Sequence, residues 1–271
     1  AALDASLLLE AVCGTDRNDL LVHGEQPVAP EAEEKYLNWI RQRAEHIPLQ
    51  QLTGEQGFMG LTFSVNEHVL IPRQDTEILV EEVLKELHDG MRVLDMCTGS
   101  GCILLSLLHY SNDCEGLGVD LSAEALEVAG RNVLKVLTPE KAEHAHFLQS
   151  DLFEKVEGKF EIIVSNPPYI ASAEVEKLMP EVRDHEPRMA LDGTEDGLYF
   201  YRRIIEEAGK HLVSSGMLFF EIGYDQGQAV SELMRTEGYC EVQVVQDYAG
   251  LDRVVFGTYV TVQPAPFAKS R

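Results

Sequence analysis

"VLDMCTGSGCI", residues 93–103, decides the fold. Apolar residues run through Asp95, a glycine-bearing turn follows, and another apolar segment begins directly behind it. The pattern reads as a buried strand, a tight turn and a helix. Gly99 and Gly101 let the backbone approach a ligand closely, and the first turn of the following helix has N–H groups without partners in the helix. A dinucleotide fingerprint needs a third glycine at position 104, where Leu104 stands, and no Gly-Lys-Ser/Thr follows. Neither a dinucleotide site nor a P-loop is therefore expected.

Outward from this turn, helix and strand patterns alternate. A helix is expected at 76–88, strands at 92–96, 116–120, 146–149 and 161–165, helices after Gly101 and from Ser122, and a further helix near 197–212. The segments "GMLFFEIG", "CEVQVVQD" and "DRVVFGTYV" complete a strand, helix, strand, strand arrangement. This rhythm predicts an α/β fold with a mostly parallel sheet covered by helices on both faces. Residues 1–53 read as a helical domain: Leu7, Leu8, Leu9 and Val12 cluster, Tyr36, Leu37, Ile40 and Ala44 recur at helical spacing, and Pro30 and Pro48 mark boundaries. A partner-binding bundle and a plain helical cap fit that segment equally. In "GFMGLTFSVNEHVLIPR" the period shortens, so residues 54–75 are expected to form a hairpin linker with Asn66 and Glu67 near its turn. The remainder, 76–271, is the α/β domain, and its final "QPAPFAKSR" reads as a loose end.

The chain has 271 residues, 45% hydrophobic and 25% charged, which excludes disordered and fibrous classes. With 22 basic and 46 acidic side chains its formal charge is −24. Such a field repels phosphate backbones and anionic lipid, so neither direct nucleic-acid binding nor membrane binding is expected. Five scattered cysteines without a Cys-x-x-Cys pair point to reduced thiols. No zinc framework is visible, and the His144/His146 pair reads as structural rather than ligating, so no metal is expected. The opening residues have no basic n-region, and no apolar run reaches the ~20 residues of a membrane span. A cytoplasmic, untargeted protein is the expectation.

Acids recur along the strand ends: Asp95, Asp120 in "GVDLS" and Asp151 in "QSDLF". Each alone reads equally well as a cap or a solvated loop residue. With the Gly-x-Gly turn they describe a pocket for an adenosine-bearing, cationic cofactor lacking a phosphate chain, Asp120 taking the ribose hydroxyls. "NPPY", residues 166–169, then ends the fourth strand. Pro167 and Pro168 have no N–H and hold Asn166 out of the α region. The Asn166 side-chain oxygen and the Pro167 carbonyl are two acceptors suited to one NH2 group, and Tyr169 is placed to lie against a flat ring or carboxamide. Adenine and glutamine satisfy the motif equally. "EPRMALDGTEDG" fits a loop entering a helix somewhat better than a crevice lining.

"DMCTGSG", "GVDLS" and "NPPY" resemble the class I S-adenosylmethionine-dependent methyltransferases that modify exocyclic or amide nitrogens. "PLQQLTGEQGFMGLTFSVNEHVLIPRQDTE", "SNPPYI", "EPRMALDGTEDGLYFYRRI" and "AGLDRVVFG" narrow the resemblance to the HemK/PrmC family of protein-(glutamine-N5) methyltransferases, over residues 48–257. The resemblance implies a Rossmann-like seven-stranded sheet and S-adenosyl-L-methionine as cofactor. It also implies that the substrate is the glutamine of the Gly-Gly-Gln motif in class-1 peptide chain release factors, docked with help from the helical domain. It assigns cofactor binding to Asp95, Cys97, Thr98, Gly99, Ser100, Gly101, Asp120, Leu121, Asp151, Leu152 and Asn166, and catalysis to Asn166, Pro167, Pro168 and Tyr169. Cys97 stands where many relatives have a glycine, so its backbone is expected not to need positive φ. Gln74 replaces a proline, which puts the rigidity of the linker in doubt. The rival readings are an adenine-N6 methyltransferase of DNA, which would need a basic groove, a methyltransferase of ribosomal protein or RNA, and a non-catalytic binding protein, which would not keep Asn166.

Overall fold

The computed structural model describes residues 2–260; the terminal "QPAPFAKSR" lies outside the described residues. Four helices open the chain: α1 (Ala2–Cys13), α2 (Arg17–Val22), α3 (Pro30–Ala44) and α4 (Leu49–Thr53). The Asp16 carboxylate caps α2 by accepting from the Asn18 and Asp19 N–H groups, and Pro30 occupies the first turn of α3, where its missing N–H costs nothing. Leu8 is fully buried, with α1 packed on α3 and α4. Gly54 ends α4 in the left-handed region, φ 78°, which a side chain would strain.

A two-stranded hairpin follows, β1 (Glu55–Phe58) and β2 (Leu61–Ser64). Its turn is Met59–Gly60, both at positive φ, and not Asn66–Glu67 as expected. Two left-handed residues in a two-residue loop match the right-handed twist of the flanking strands. Asn66 marks a second, separate turn, its side chain accepting from the His68 N–H at 3.0 Å.

The α/β domain continues as α5 (Asp75–Glu86), β3 (Arg92–Met96), α6 (Cys102–Tyr110), β4 (Glu115–Asp120), α7 (Ala123–Val136), α8 (Pro139–Ala142), β5 (Ala145–Gln149) and β6 (Phe160–Ser165). Three one-turn helices follow, α9 (Ser172–Val175), α10 (Pro180–Arg183) and α11 (Arg188–Leu191). The chain then runs through α12 (Tyr199–Ala208), β7 (Leu212–Glu221), α13 (Gly227–Thr236), β8 (Tyr239–Gln246) and β9 (Asp252–Tyr259). Seven strands form one sheet in the order β5-β4-β3-β6-β7-β9-β8. The first five are mutually parallel, and β9 is antiparallel to β7 and β8. The chain runs outward from β3 through β4 to β5, then returns to lay β6 on the other side of β3. The crevice at that reversal, outside the carboxyl ends of the strands, is where open sheets of this kind take ligands.

Alternation along the strands separates two cores. Val93, Ile162, Val164 and Phe219 face α5, α6 and the hairpin phenylalanines Phe58 and Phe63, whereas Leu94, Ile163, Leu218 and Phe220 face α12 and α13. Burial on both faces explains why these strands read as continuous apolar runs. Among the described residues no helix is long and apolar enough to cross a membrane.

Candidate active site

The cleft at the sheet reversal begins with the turn after β3. Cys97, Gly99 and Gly101 lie at φ 64°, 55° and 77°, alternating with Thr98 and Ser100. The expectation that Cys97 would avoid positive φ is therefore wrong. The chain must leave β3 and re-enter as α6 within five residues, with the Thr98 N–H bonded to the Val119 carbonyl at 3.0 Å and the Gly101 N–H to the Thr98 carbonyl at 2.8 Å. That path requires the left-handed conformation whatever residue stands at 97, at a cost of about 1–2 kcal/mol for a side chain. Nothing lies within 4 Å of a Cβ built on Gly99, so the turn presents bare backbone to open space.

Asp95 supports this turn from beneath. It is fully buried, its Oδ2 accepting from the Thr98 hydroxyl at 2.6 Å and the Leu104 N–H at 3.3 Å, while Oδ1 has no partner. Burial pushes its carboxyl up to about 7, against the pull of those two donors. Asp120, at the end of β4, accepts from the Gly99 N–H at 2.9 Å through one oxygen and from the Ser122 N–H at 2.9 Å through the other. It ties the glycine turn to the start of α7 and keeps free lone pairs toward the cleft. Burial raises its pKa, opposed by these backbone donors. Asp151 is paired with Arg203 of α12 at 2.9 Å. Of the three acids expected around the pocket, Asp120 and Asp151 line it and Asp95 does not.

The cleft encloses ≈ 1150 Å³ counting its open mouth, on the scale of a pocket for a drug-sized ligand. Cys97, Thr98, Gly99, Ser100, Asp120, Leu121, Asp151, Leu152, Asn166 and Pro168 all line it, joining residues from four strand ends. Gly101, Pro167 and Tyr169 do not contribute to its wall. Tyr169 corrects the expectation of a stacking platform: its ring packs against the α12/α13 core and its hydroxyl donates to Glu221 Oε1 at 3.3 Å. Its chain is drawn that way by the Ile170–Asp192 bridge and by Gln226, whose Nε2 donates to the Tyr169 carbonyl at 3.0 Å.

Asn166 sits at the cleft with Nδ2 directed at the Thr76 hydroxyl, 3.4 Å away. Its Oδ1 is then the atom left facing the cleft, and among the described residues no hydrogen bond reaches the Pro167 carbonyl. The two acceptors singled out in the sequence are thus both unclaimed by the protein.

Two further segments build the site. His68, Val69, Leu70, Pro72, Arg73 and Thr76 wall one side, although only the resemblance pointed to them. The one readable signal was the pair of prolyl and basic residues directly before an apolar helix. Pro187, Met189, Ala190 and Asp192 wall the other side, so "EPRMALDGTEDG" does line the crevice. Its glycines also pack tightly: a Cβ at Gly193 would meet the Pro168 carbonyl at 2.8 Å, and one at Gly197 the Tyr169 carbonyl at 2.3 Å. The two walls are pinned together by Glu186, buried, which pairs with Arg73 and accepts from the Ile71 N–H at 3.2 Å.

The donors and acceptors suit S-adenosylmethionine, which the fold family implies: a bare glycine turn, a carboxylate at Asp120 for two hydroxyls, the exposed apolar face of Leu121 and no cluster of cations for a phosphate chain. Residues 1–54 match the PrmC N-terminal domain and residues 73–182 the methyltransferase small domain. The chain is 42% identical over 256 residues to a release factor glutamine methyltransferase of Clostridium acetobutylicum, covering 93% of this chain and 89% of the relative. It is 44% identical over 255 residues to the protein of the same description from Moorella thermoacetica, again covering 93% and 89%. Among solved structures, a methyltransferase from Pyrococcus furiosus superposes with a TM-score of 0.55 at 18% identity, covering 81% of this chain and 98% of that one, a likeness of fold alone. Identity at this level over 93% of the chain, with the N-terminal helical domain matched as well, places the chain in the family of release factor glutamine methyltransferases.

Proposed function

We propose that this chain methylates the side-chain nitrogen of a glutamine, that of the Gly-Gly-Gln motif in class-1 peptide chain release factors, using S-adenosyl-L-methionine. The observation that carries the reading is the unclaimed Oδ1 of Asn166 on the cleft wall, followed in the chain by a Pro167 carbonyl that is likewise unclaimed among the described residues. When bound, the cofactor supplies an electrophilic methyl group on a sulfonium. Asp120, Leu121, Asp151, Leu152 and the turn from Cys97 to Ser100, which line the cleft, would hold its adenosyl part. Asp95 keeps the turn in shape from below.

An amide nitrogen is a poor nucleophile because its lone pair is delocalised into the carbonyl. The Asn166 oxygen and the Pro167 carbonyl would accept hydrogen bonds from its two N–H groups and so favour a geometry in which that lone pair points along the line of transfer; the N–CH3 bond would form as the S–CH3 bond breaks, and one N–H proton would leave to solvent. Positioning and electrostatics supply the rate, and no nucleophilic side chain is needed. The two prolines keep both acceptors rigid, so little reorganisation is required on binding. The helical domain helps dock the factor: Arg43 of α3 bonds Glu181, and Gln51 of α4 donates to the His185 carbonyl at 2.7 Å, next to the wall formed by 187–192.

The test is incubation with methyl-labelled cofactor and, separately, a release factor, duplex DNA and ribosomes. Label is expected on the factor's glutamine, and label on DNA but not on the factor would refute the reading. Asn166→Ala is expected to lower transfer by about 10²-fold or more while cofactor affinity stays nearly unchanged. Equal loss of both would mean that Asn166 serves the cofactor instead.

A further inference from the structure

Gln226 stands at the head of α13, where a short polar side chain would cap the helix, yet its side chain makes no capping bond. Its amide is directed instead at three backbone groups from separate parts of the chain. Oε1 accepts from the Gly223 N–H at 2.9 Å, just beyond β7, while Nε2 donates to the Tyr169 carbonyl at 3.0 Å and the Gly197 carbonyl at 3.3 Å. The Tyr201 hydroxyl of α12 lies 3.4 Å from Oε1 and donates to the Glu221 carbonyl at 2.9 Å. An N–H on one side calls for the amide oxygen, and two carbonyls on the other call for the NH2, so a single orientation satisfies the surroundings. An ionised carboxylate could not replace this amide, because both carbonyls would then face an oxygen. The mount is rigid as well. The Gln226 N–H donates to the Gly223 carbonyl at 2.9 Å, and the Gln226 carbonyl accepts from the N–H of the fully buried Val230 at 3.0 Å.

Both carbonyls held by the amide belong to segments that build the transfer site. Pro167 and Pro168 have no N–H, so the stretch carrying the Pro167 carbonyl cannot tie itself down by donating. Its direction is set by what holds the chain on either side. Before it, the Ser165 hydroxyl at the end of β6 donates to the Met96 carbonyl at 2.6 Å. After it, Gln226 holds the carbonyl of Tyr169, the residue next to the cleft-lining Pro168. Gly197 ends the segment whose Pro187, Met189, Ala190 and Asp192 wall the cleft. Farther along, the Ile170 N–H donates to the Leu191 carbonyl at 3.1 Å and the Gly193 N–H to the Ile170 carbonyl at 2.8 Å. These bonds keep the two segments together without the amide; what the amide adds is their seat on α13.

We propose that Gln226 is a positioning residue for the methyl transfer: its amide seats the Tyr169 and Gly197 carbonyls on the head of α13 and so sets the direction of the Pro167 carbonyl. The inference rests on the reading of the Asn166 oxygen and the Pro167 carbonyl as acceptors for the substrate nitrogen. Gln226 itself does not line the cleft. Its loss therefore acts on the rate of transfer more than on the binding of either substrate.

The experiment uses the full chain and measures kcat, KM for the release factor, the affinity for the demethylated cofactor product and thermal unfolding in Gln226→Glu, Gln226→Met and Asn166→Ala. Gln226→Glu keeps the length of the side chain and the acceptor for Gly223 but removes both donated bonds. It is expected to lower kcat by about tenfold or more, with KM and product affinity within about twofold of the parent. Gln226→Met, which puts an apolar chain of the same length at the site, is expected to show the same split and carries the test if Gln226→Glu does not fold. Failure of both to fold would make the amide a structural clamp and overturn the positioning role. Equal losses of kcat and product affinity would overturn it too, because they would mark a general loosening of the cleft. A collapse of kcat in Asn166→Ala beside unchanged kcat in the Gln226 variants would overturn the positioning role and leave the acceptor reading standing. Unchanged kcat in Asn166→Ala would overturn the acceptor reading itself, and the positioning role with it.

Discussion

Cys97 and Asp95 are two residues that the sequence placed correctly in the chain and misjudged in conformation or environment. The expectation for Cys97 followed from its chemistry, since a β-carbon disfavours the left-handed region. The turn overrode that preference because the hydrogen bonds of Thr98 and Gly101 fix the path of its neighbours. Asp95 looked like one more acid at a strand end, yet β3 is central and its end is roofed by the turn itself. The consequence is measurable. The folded carboxyl titrates at about 7 against an ordinary 3.8, so the unfolded chain releases this proton first. Below about pH 4 both states hold the proton and there is no penalty; above about pH 7 the penalty is complete, with a ceiling of roughly 4 kcal/mol. Asp95→Asn is therefore expected to gain stability relative to the parent as pH rises from 4 to 7, measured by urea unfolding without added cofactor. Parallel stability curves would show that Asp95 does not ionise at a cost.

The hairpin is an element whose role depends on one buried side chain of another element. Asn132 of α7 is fully buried; its Oδ1 accepts from the Ser64 N–H at 2.7 Å, and its Nδ2 donates to the carbonyls of Ser64 at 3.1 Å and Ser100 at 2.9 Å. One amide thus pins β2 to the glycine turn. At the other end of the hairpin the Met59 N–H donates to Glu77 at 2.7 Å and the Tyr110 hydroxyl to the Met59 carbonyl at 2.5 Å. The linker is anchored at both ends, and Gln74 in place of the family's proline leaves these anchors intact. Asn132→Ala would strand three backbone groups, two of them on the edge of the hairpin, at a cost of about 2–4 kcal/mol. Thermal unfolding is expected to show that loss, with weaker cofactor binding because the Ser100 carbonyl is released. Nothing in the alternation of "GFMGLTFSV" could have shown this clamp, since an asparagine on a helix reads as a surface residue until its neighbours are known.

At the scale of the whole molecule, the helical domain and the cleft are joined through the segment from Pro180 to Asp192. Arg43 bridges Asp4 at 2.7 Å and Glu181 at 2.5 Å, linking α1, α3 and α10, and these carboxylates outweigh burial in raising its pKa. Arg43→Ala is expected to change the unfolding midpoint little, since partly exposed pairs contribute about 0–1 kcal/mol. On the proposed docking role, KM for the release factor should rise several-fold while cofactor affinity holds; an unchanged KM would remove Arg43 from docking. The acidic balance of the chain, −24, works against phosphate backbones at long range. By itself the sequence determined the alternating strands and helices, the glycine turn and the Asn-Pro-Pro-Tyr stop after β6, because periodicity, missing N–H groups and glycine spacing are local properties. Only the tertiary structure decided that Asp95 lies under the turn, that Tyr169 points inward, and that Thr76, Glu186 and Glu221 stand around the site. Those outcomes depend on which strand ends meet across the sheet, and a buried polar group has no signature until the residues that bury it are in place.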